Sequence, residues 1–234
     1  MNISAGGVRP SHLVCLLIGA VSTLAWAQVR PAAGALPPDV NPATRSRFPP
    51  LARADMQPGA QRFFDKYSTD GVTSTPFYQR GPQHMYVYSP AAAETLGYFV
   101  SAIRQDGVFN TPRLEIAILV AARETDQSFV WAAHEILARN ASVDQRIIDA
   151  IKRDLEVSGF GNAEALIIRY GRQLFREKKV SPELFAAAVG AFGHKGVVEL
   201  TAVMGYYVSV GMMLNAADQQ LPPNTARLPA RTAR

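Results

Sequence analysis

The sequence predicts an all-α protein, and three observations carry that reading. Helix-start signals recur along the chain: Ser89-Pro90, Thr111-Pro112 and Ser181-Pro182 each set a capping hydroxyl before a proline at the first helical position. No run alternates with period two for long enough to make a convincing strand, HMYVY (84–88) being a weak candidate. The chain has 234 residues, 48% hydrophobic and 18% charged, which suits one or at most two globular domains with a real core. Helices are expected near 57–67, 90–106, 112–124, 126–139, 143–157, 162–178, 182–191 and 195–217, joined by short breaks. Asp144 and Glu164 fall in first turns, where the helix dipole favours a carboxylate. No internal repeat at a fixed period is present.

The ends of the chain read differently from the body. A short polar lead containing Arg9 precedes the apolar run LVCLLIGAVSTLAWA, which is too short for a comfortable membrane span. It closes on Ala25-Trp26-Ala27, the small-x-small pattern a signal peptidase cuts, so 1–27 is expected to be a signal peptide and the mature protein periplasmic or secreted. The rival reading is an uncleaved anchor; cleavage before Gln28 implies no stable membrane insertion. Cleavage also removes Cys15, the sole cysteine, leaving no disulfide and no thiol chemistry. Residues 28–55, rich in Pro and Ala without a periodic apolar face, are expected to be a flexible or extended linker, 56–218 the helical domain, and 219–234 a disordered basic tail. Loss of Arg9 takes the 24 basic residues to 23 against 19 acidic, and Arg227, Arg231 and Arg234 lie in that tail. The folded body is therefore nearly neutral, and without a basic stripe nucleic-acid binding has little support.

Two helices hold the residues of chemical interest. LEIAILVAA (114–122) is apolar on every side except at Glu115, which marks a helix buried in a bundle or an interface. With Thr111 as cap, the capping-box position falls on Leu114, so Glu115 is not a capping glutamate, although the first turn still favours its charge. A break at Glu124-Thr125-Asp126, with Thr125 or Asp126 as the next cap, predicts an αα-hairpin. Glu115 lies ten residues before Thr125 and His134 nine after it. At about 1.5 Å of rise per residue both sit roughly 14–15 Å from the turn, level with each other. Gln127, Val130, Trp131, His134, Leu137 and Ala138 share the inward face of the second helix; Ser128, Glu135 and Arg139 share the other. A carboxylate beside an imidazole fixes its tautomer and raises its basicity, which prepares a general acid or base.

Glu115, the apolar helix after it, and aromatic-x-Trp131-x-x-His134 together resemble the carboxymuconolactone decarboxylase superfamily, which includes the alkylhydroperoxidase D proteins. The likeness spans roughly 85–217: YSPAAAETLGYF is similar to the helix entering the family's core repeat, TPRLEIAILVAAR to its central helix, and VVELTAVMGYYVSVGMMLNA to its final one. The resemblance implies a helical bundle of the alkylhydroperoxidase D-like type that assembles as a trimer, hexamer or dimer. It implies His134 and Glu115 as catalytic residues and no metal or organic cofactor. In the peroxidase branch two cysteines stand between the carboxylate and the histidine; the matching positions here are Gln127 and Val130, so thiol peroxidase chemistry is disfavoured. The decarboxylase branch needs neither cysteine.

The function expected is a cofactor-free lyase acting on a small carboxylated or lactone compound through histidine acid–base chemistry. The alternatives are a non-catalytic exported scaffold binding an apolar ligand or partner, and, with no thiol to support it, an antioxidant alkylhydroperoxidase. Trp131, Gln127, Arg123 and Tyr206 are the candidate substrate-binding residues; Arg123, like Arg113, flanks the apolar helix and suits a substrate carboxylate. Tyr207, Met212 and Met213 read as core or subunit packing. His84, His134 and His194 survive signal removal, yet none pairs at a metal-ligand spacing, so no metal site is expected.

Overall fold

In the computed structural model, residues 35–69 and 76–231 are described; Cys15 and the segment 1–27, expected to be a signal peptide, lie outside them. Eight α-helices occur among these residues: α1 (Pro58–Ser68), α2 (Pro82–Tyr86), α3 (Pro90–Asp106), α4 (Thr111–Glu124), α5 (Ser128–Asn140), α6 (Gln145–Arg153), α7 (Asn162–Glu177) and α8 (Pro182–Ala216). No strand is present among them. HMYVY, the weak strand candidate, falls on α2, which Pro82 opens at its first position after Gly81 turns the chain at φ 68°. Ser89 and Ser181 cap α3 and α8 by accepting from the amides of Ala92 and Leu184. At α4 the cap is Asn110 rather than Thr111, its side chain accepting from Arg113 N–H.

Helix α4 is the axis of the bundle. Every residue from Leu114 to Glu124 is buried, because α5, α7 and α8 pack around it on different sides. A central helix has no solvent face, which is why its sequence shows no polar stripe. Helix α7 comes close at Gly171, where a Cβ would stand 2.5 Å from Val120 Cγ1 and 2.7 Å from the Met204 methyl. Helix α8 is broken at Gly193 (φ 69°, ψ 173°), a conformation open to glycine, so the two helices expected there appear as arms of one kinked element. A second, aromatic-rich cluster joins α1, α2 and α3 around Phe63, whose ring meets that of Tyr86 edge-on at 5.8 Å.

The segments expected to be linker and tail are docked where they are described. Thr44 and Ser46 are fully buried; Thr44 Oγ1 donates to Phe48 O (2.7 Å), and Ser46 Oγ pairs with His84 Nε2 (3.0 Å). Arg47 N–H donates to Ala217 O, and Gln220 N–H to Arg45 O, each at 2.8 Å. At the other end Leu228 is buried, its N–H on Ser128 Oγ (3.1 Å), and Pro229 O accepts from Arg123 (2.7 Å). Both segments are held largely by hydrogen bonds, which leave no apolar period to read in the sequence.

Candidate active site around His134

The α4–α5 hairpin places the site. Its turn is closed by Thr125 N–H on Ala121 O (3.1 Å) and Gln127 N–H on Ala122 O (2.8 Å), with Asp126 at φ 54°. Neither Thr125 nor Asp126 caps α5; Gln127 holds that position without a side-chain cap, so α5 starts at Ser128.

Across the hairpin, His134 Nδ1 lies 2.7 Å from Glu115 Oε2. The carboxylate side chain is 1% exposed and the imidazole 13%. Arg104, from α3, donates through Nη2 to the other oxygen, Glu115 Oε1. Burial pushes the Glu115 carboxyl up, but the hydrogen bond and charge of His134 and the Arg104 guanidinium outweigh it and hold the group below its ordinary value. Glu115 is thus an ionised acceptor at neutral pH, and Nδ1 must be the donor. Whenever the ring is in its neutral form it carries its lone pair on Nε2, which has no hydrogen-bond partner among the described residues. Tyr207 covers one side, its ring edge-on to His134 with centroids 4.8 Å apart. Burial, then the neighbouring Tyr206 and Glu115, push the Tyr207 phenol well above its ordinary value, so it is a neutral hydroxyl.

The remaining candidates divide between this site and other places. Tyr206 backs it: its ring meets Tyr207 edge-on at 5.1 Å, and its hydroxyl pairs with Tyr86 Oη at 2.9 Å. Gln127 lies two turns away, packed on Gly211 and lining a cleft of about 320 Å³ with Ser128, Leu214, Gln219 and Arg227. Trp131 turns towards α6: its indole N–H donates to Glu135 (2.6 Å), and Lys152 sits over its ring at 5.7 Å. The face count put Glu135 opposite Trp131, but residues four apart are neighbours on one side of a helix, so the two side chains meet directly. Arg123 is fastened at the turn by Asp126 (3.0 Å) and Pro229 O. Arg113 pairs with Glu164 (3.0 Å). Neither arginine meets the histidine pair. No group of three His, Cys, Asp or Glu side chains is placed to hold a metal ion among the described residues.

Arg104 and Tyr207 are site residues that sequence reasoning missed. A buried Glu115 calls for a cation, but Arg104 reaches it from a neighbouring helix, a tertiary fact; Tyr207 was read only as packing.

No protein-family profile and no curated protein matches the sequence. Solved structures do. The alkylhydroperoxidase D core of an uncharacterised peroxidase-related protein from Ralstonia eutropha JMP134 superposes with a TM-score of 0.64 at 11% identity, covering 77% of this chain and 94% of that one. The chain has the alkylhydroperoxidase D fold. The debrominase Bmp8, solved in complex with 2,3,4-tribromopyrrole, is also similar, with a TM-score of 0.57 at 14% identity over 74% of this chain and 90% of that one. Within the alkylhydroperoxidase D fold of this chain, a carboxylate on the central helix meets a histidine on the next, and residues 28–234 contain no cysteine.

Proposed function

We propose that the protein is a cofactor-free lyase of small carboxylated or lactone compounds, acting outside the cytoplasm through His134. One observation carries the reading: a buried, ionised Glu115 holds His134 by Nδ1 and leaves Nε2 without a partner among the described residues. A histidine needed only for packing is better served by having both nitrogens satisfied. In a decarboxylation the C–C bond to the carboxylate breaks, carbon dioxide leaves, and the electron pair passes into a conjugated carbonyl. Nε2, having taken up a proton, then delivers it to carbon, while Glu115 stabilises the charged ring before the transfer. Arg104 keeps Glu115 ionised. The protein works as a homo-oligomer, a reading supported by the large apolar side chains Val198 and Met212, 66% and 68% exposed on α8.

The test is turnover of a panel of carboxylated lactones by wild type and His134→Ala, with circular dichroism as the folding control. General acid–base catalysis contributes about 10²- to 10⁴-fold, and the variant should lose a factor in that range. A folded His134→Ala with wild-type turnover would show that the histidine takes no part.

A further inference from the structure

We propose that Arg104 is the anion-binding residue of the site, presenting free guanidinium donors beside His134 to the carboxylate of an acidic substrate. The inference deepens the lyase reading and rests on it for the chemistry that follows binding, but not for the binding itself.

Glu115 already accepts from His134 on one oxygen, and Arg104 meets the other through Nη2 alone. Among the described residues Nε and Nη1 of Arg104 have no partner, and the side chain stays 30% exposed. The arginines that serve the other buried carboxylate of α4, Glu124, behave otherwise. Arg176 spends Nε and Nη2 on Glu124 and Asp154, and Arg231 spends both terminal nitrogens on Glu124. A guanidinium recruited only to neutralise Glu115 would be expected to close on it in the same way, since two parallel bonds suit a carboxylate. Arg104 instead keeps an open edge on the same carboxylate that holds His134, whose second nitrogen has no partner among the described residues.

The neighbours fit an acid with a flat body. Phe99 from the same helix stacks obliquely on Tyr206 (5.2 Å), and Tyr206 meets Tyr207, which meets His134. These rings offer apolar surface and bring no carboxylate; Glu115, buried and doubly engaged, is the anion adjoining the shelf. A carboxylate on Arg104 would be bound next to Glu115, the group that also holds His134. The ligand class is therefore a small, planar, singly charged carboxylic acid.

The probes are furan-2-carboxylate and its neutral isostere furan-2-carboxamide, titrated calorimetrically into the full-length mature protein. The His134 ring resonances, followed by NMR, report where each binds. Wild type should bind the acid about tenfold or more tightly than the amide, as charge-assisted hydrogen bonds allow. In Arg104→Gln the two should bind alike, with amide affinity unchanged. Equal discrimination in a folded Arg104→Gln, or no saturable binding of the acid by wild type, overturns the proposal. Should Arg104→Gln lose the fold, Arg104→Lys decides. Its ammonium keeps a charge near Glu115 but lacks the parallel donors, so discrimination must fall while the fold holds, and unchanged discrimination again overturns the proposal. Turnover separates the two claims: if His134→Ala retains turnover while Arg104→Gln loses discrimination, the lyase reading fails and the anion site stands.

Discussion

Glu115 and Glu124 lie on the same helix with side chains 1% and 2% exposed, and they are partnered in opposite ways. Glu124 receives Arg176 at 2.9 and 2.5 Å and Arg231 at 2.8 Å, while Asp154 and Asp126 bind the same arginines from the far side. Its partners are permanently charged, and each is engaged through two of its nitrogens. Glu115 receives one bond from Arg104 and one from His134, whose second nitrogen is open. Burial of a carboxylate alone therefore does not mark a working site. The first cluster ties α4, α7 and the C-terminal segment together; the second holds a histidine whose Nε2 has no partner among the described residues.

That contrast can be broken at several points. The largest effect should come at Glu124. Glu124→Ala strands two arginines and should cost about 3 kcal/mol or more of stability, read from denaturant midpoints, with turnover per folded molecule retained. Lost turnover at full stability would reverse the roles assigned to the two carboxylates.

A pH scan comes next, because imidazole and carboxyl groups titrate while guanidinium groups do not. Burial pushes His84 down from the ordinary 6.5 to about 4. The unfolded chain takes up this proton first, so stability present above pH 6.5 is lost as pH falls towards 4, by about 3 kcal/mol. Glu115, held below its ordinary value, contributes stability above the unfolded carboxylate range and loses it only as pH falls through its lowered folded value. Thermal midpoints of wild type and His84→Gln should differ in slope between pH 6.5 and 4 and run parallel above it. A wild-type midpoint that is flat across that window contradicts the assignment of a buried neutral His84.

The smallest effect concerns the carboxylate that orients the ring. Glu115→Gln still offers an oxygen to Nδ1 but no charge to an imidazolium. Turnover should fall about tenfold, near 1.4 kcal/mol in the barrier, less than for His134→Ala. A loss equal to that of the histidine variant would mean that Glu115 itself meets the substrate.

Much of this arrangement was legible in the sequence, for reasons that differ by region. Helices α3, α4 and α8 announce themselves through Ser-Pro or Thr-Pro starts, and the level of Glu115 with His134 follows from rise per residue across a short turn. Residues 35–55 and 219–231 were not legible, because Thr44, Ser46, Gln219 and Arg123 hold them through hydrogen bonds without periodicity. Arg123 looked like a ligand-binding cation by position and proved to be a clasp on Pro229. Arg104 escaped notice because nothing in α3 shows which neighbouring carboxylate it reaches.

The central claim is that Glu115 fixes one tautomer of His134 and leaves the other nitrogen as the base. Nitrogen-15 NMR of the labelled imidazole ring, followed through a pH series to the neutral form of the ring, measures this directly. The account predicts a protonated Nδ1 and a lone-pair-bearing Nε2 in wild type, with the preference weakened in Glu115→Gln. A ring that carries its proton on Nε2, or that is unaffected by Glu115→Gln, would contradict it.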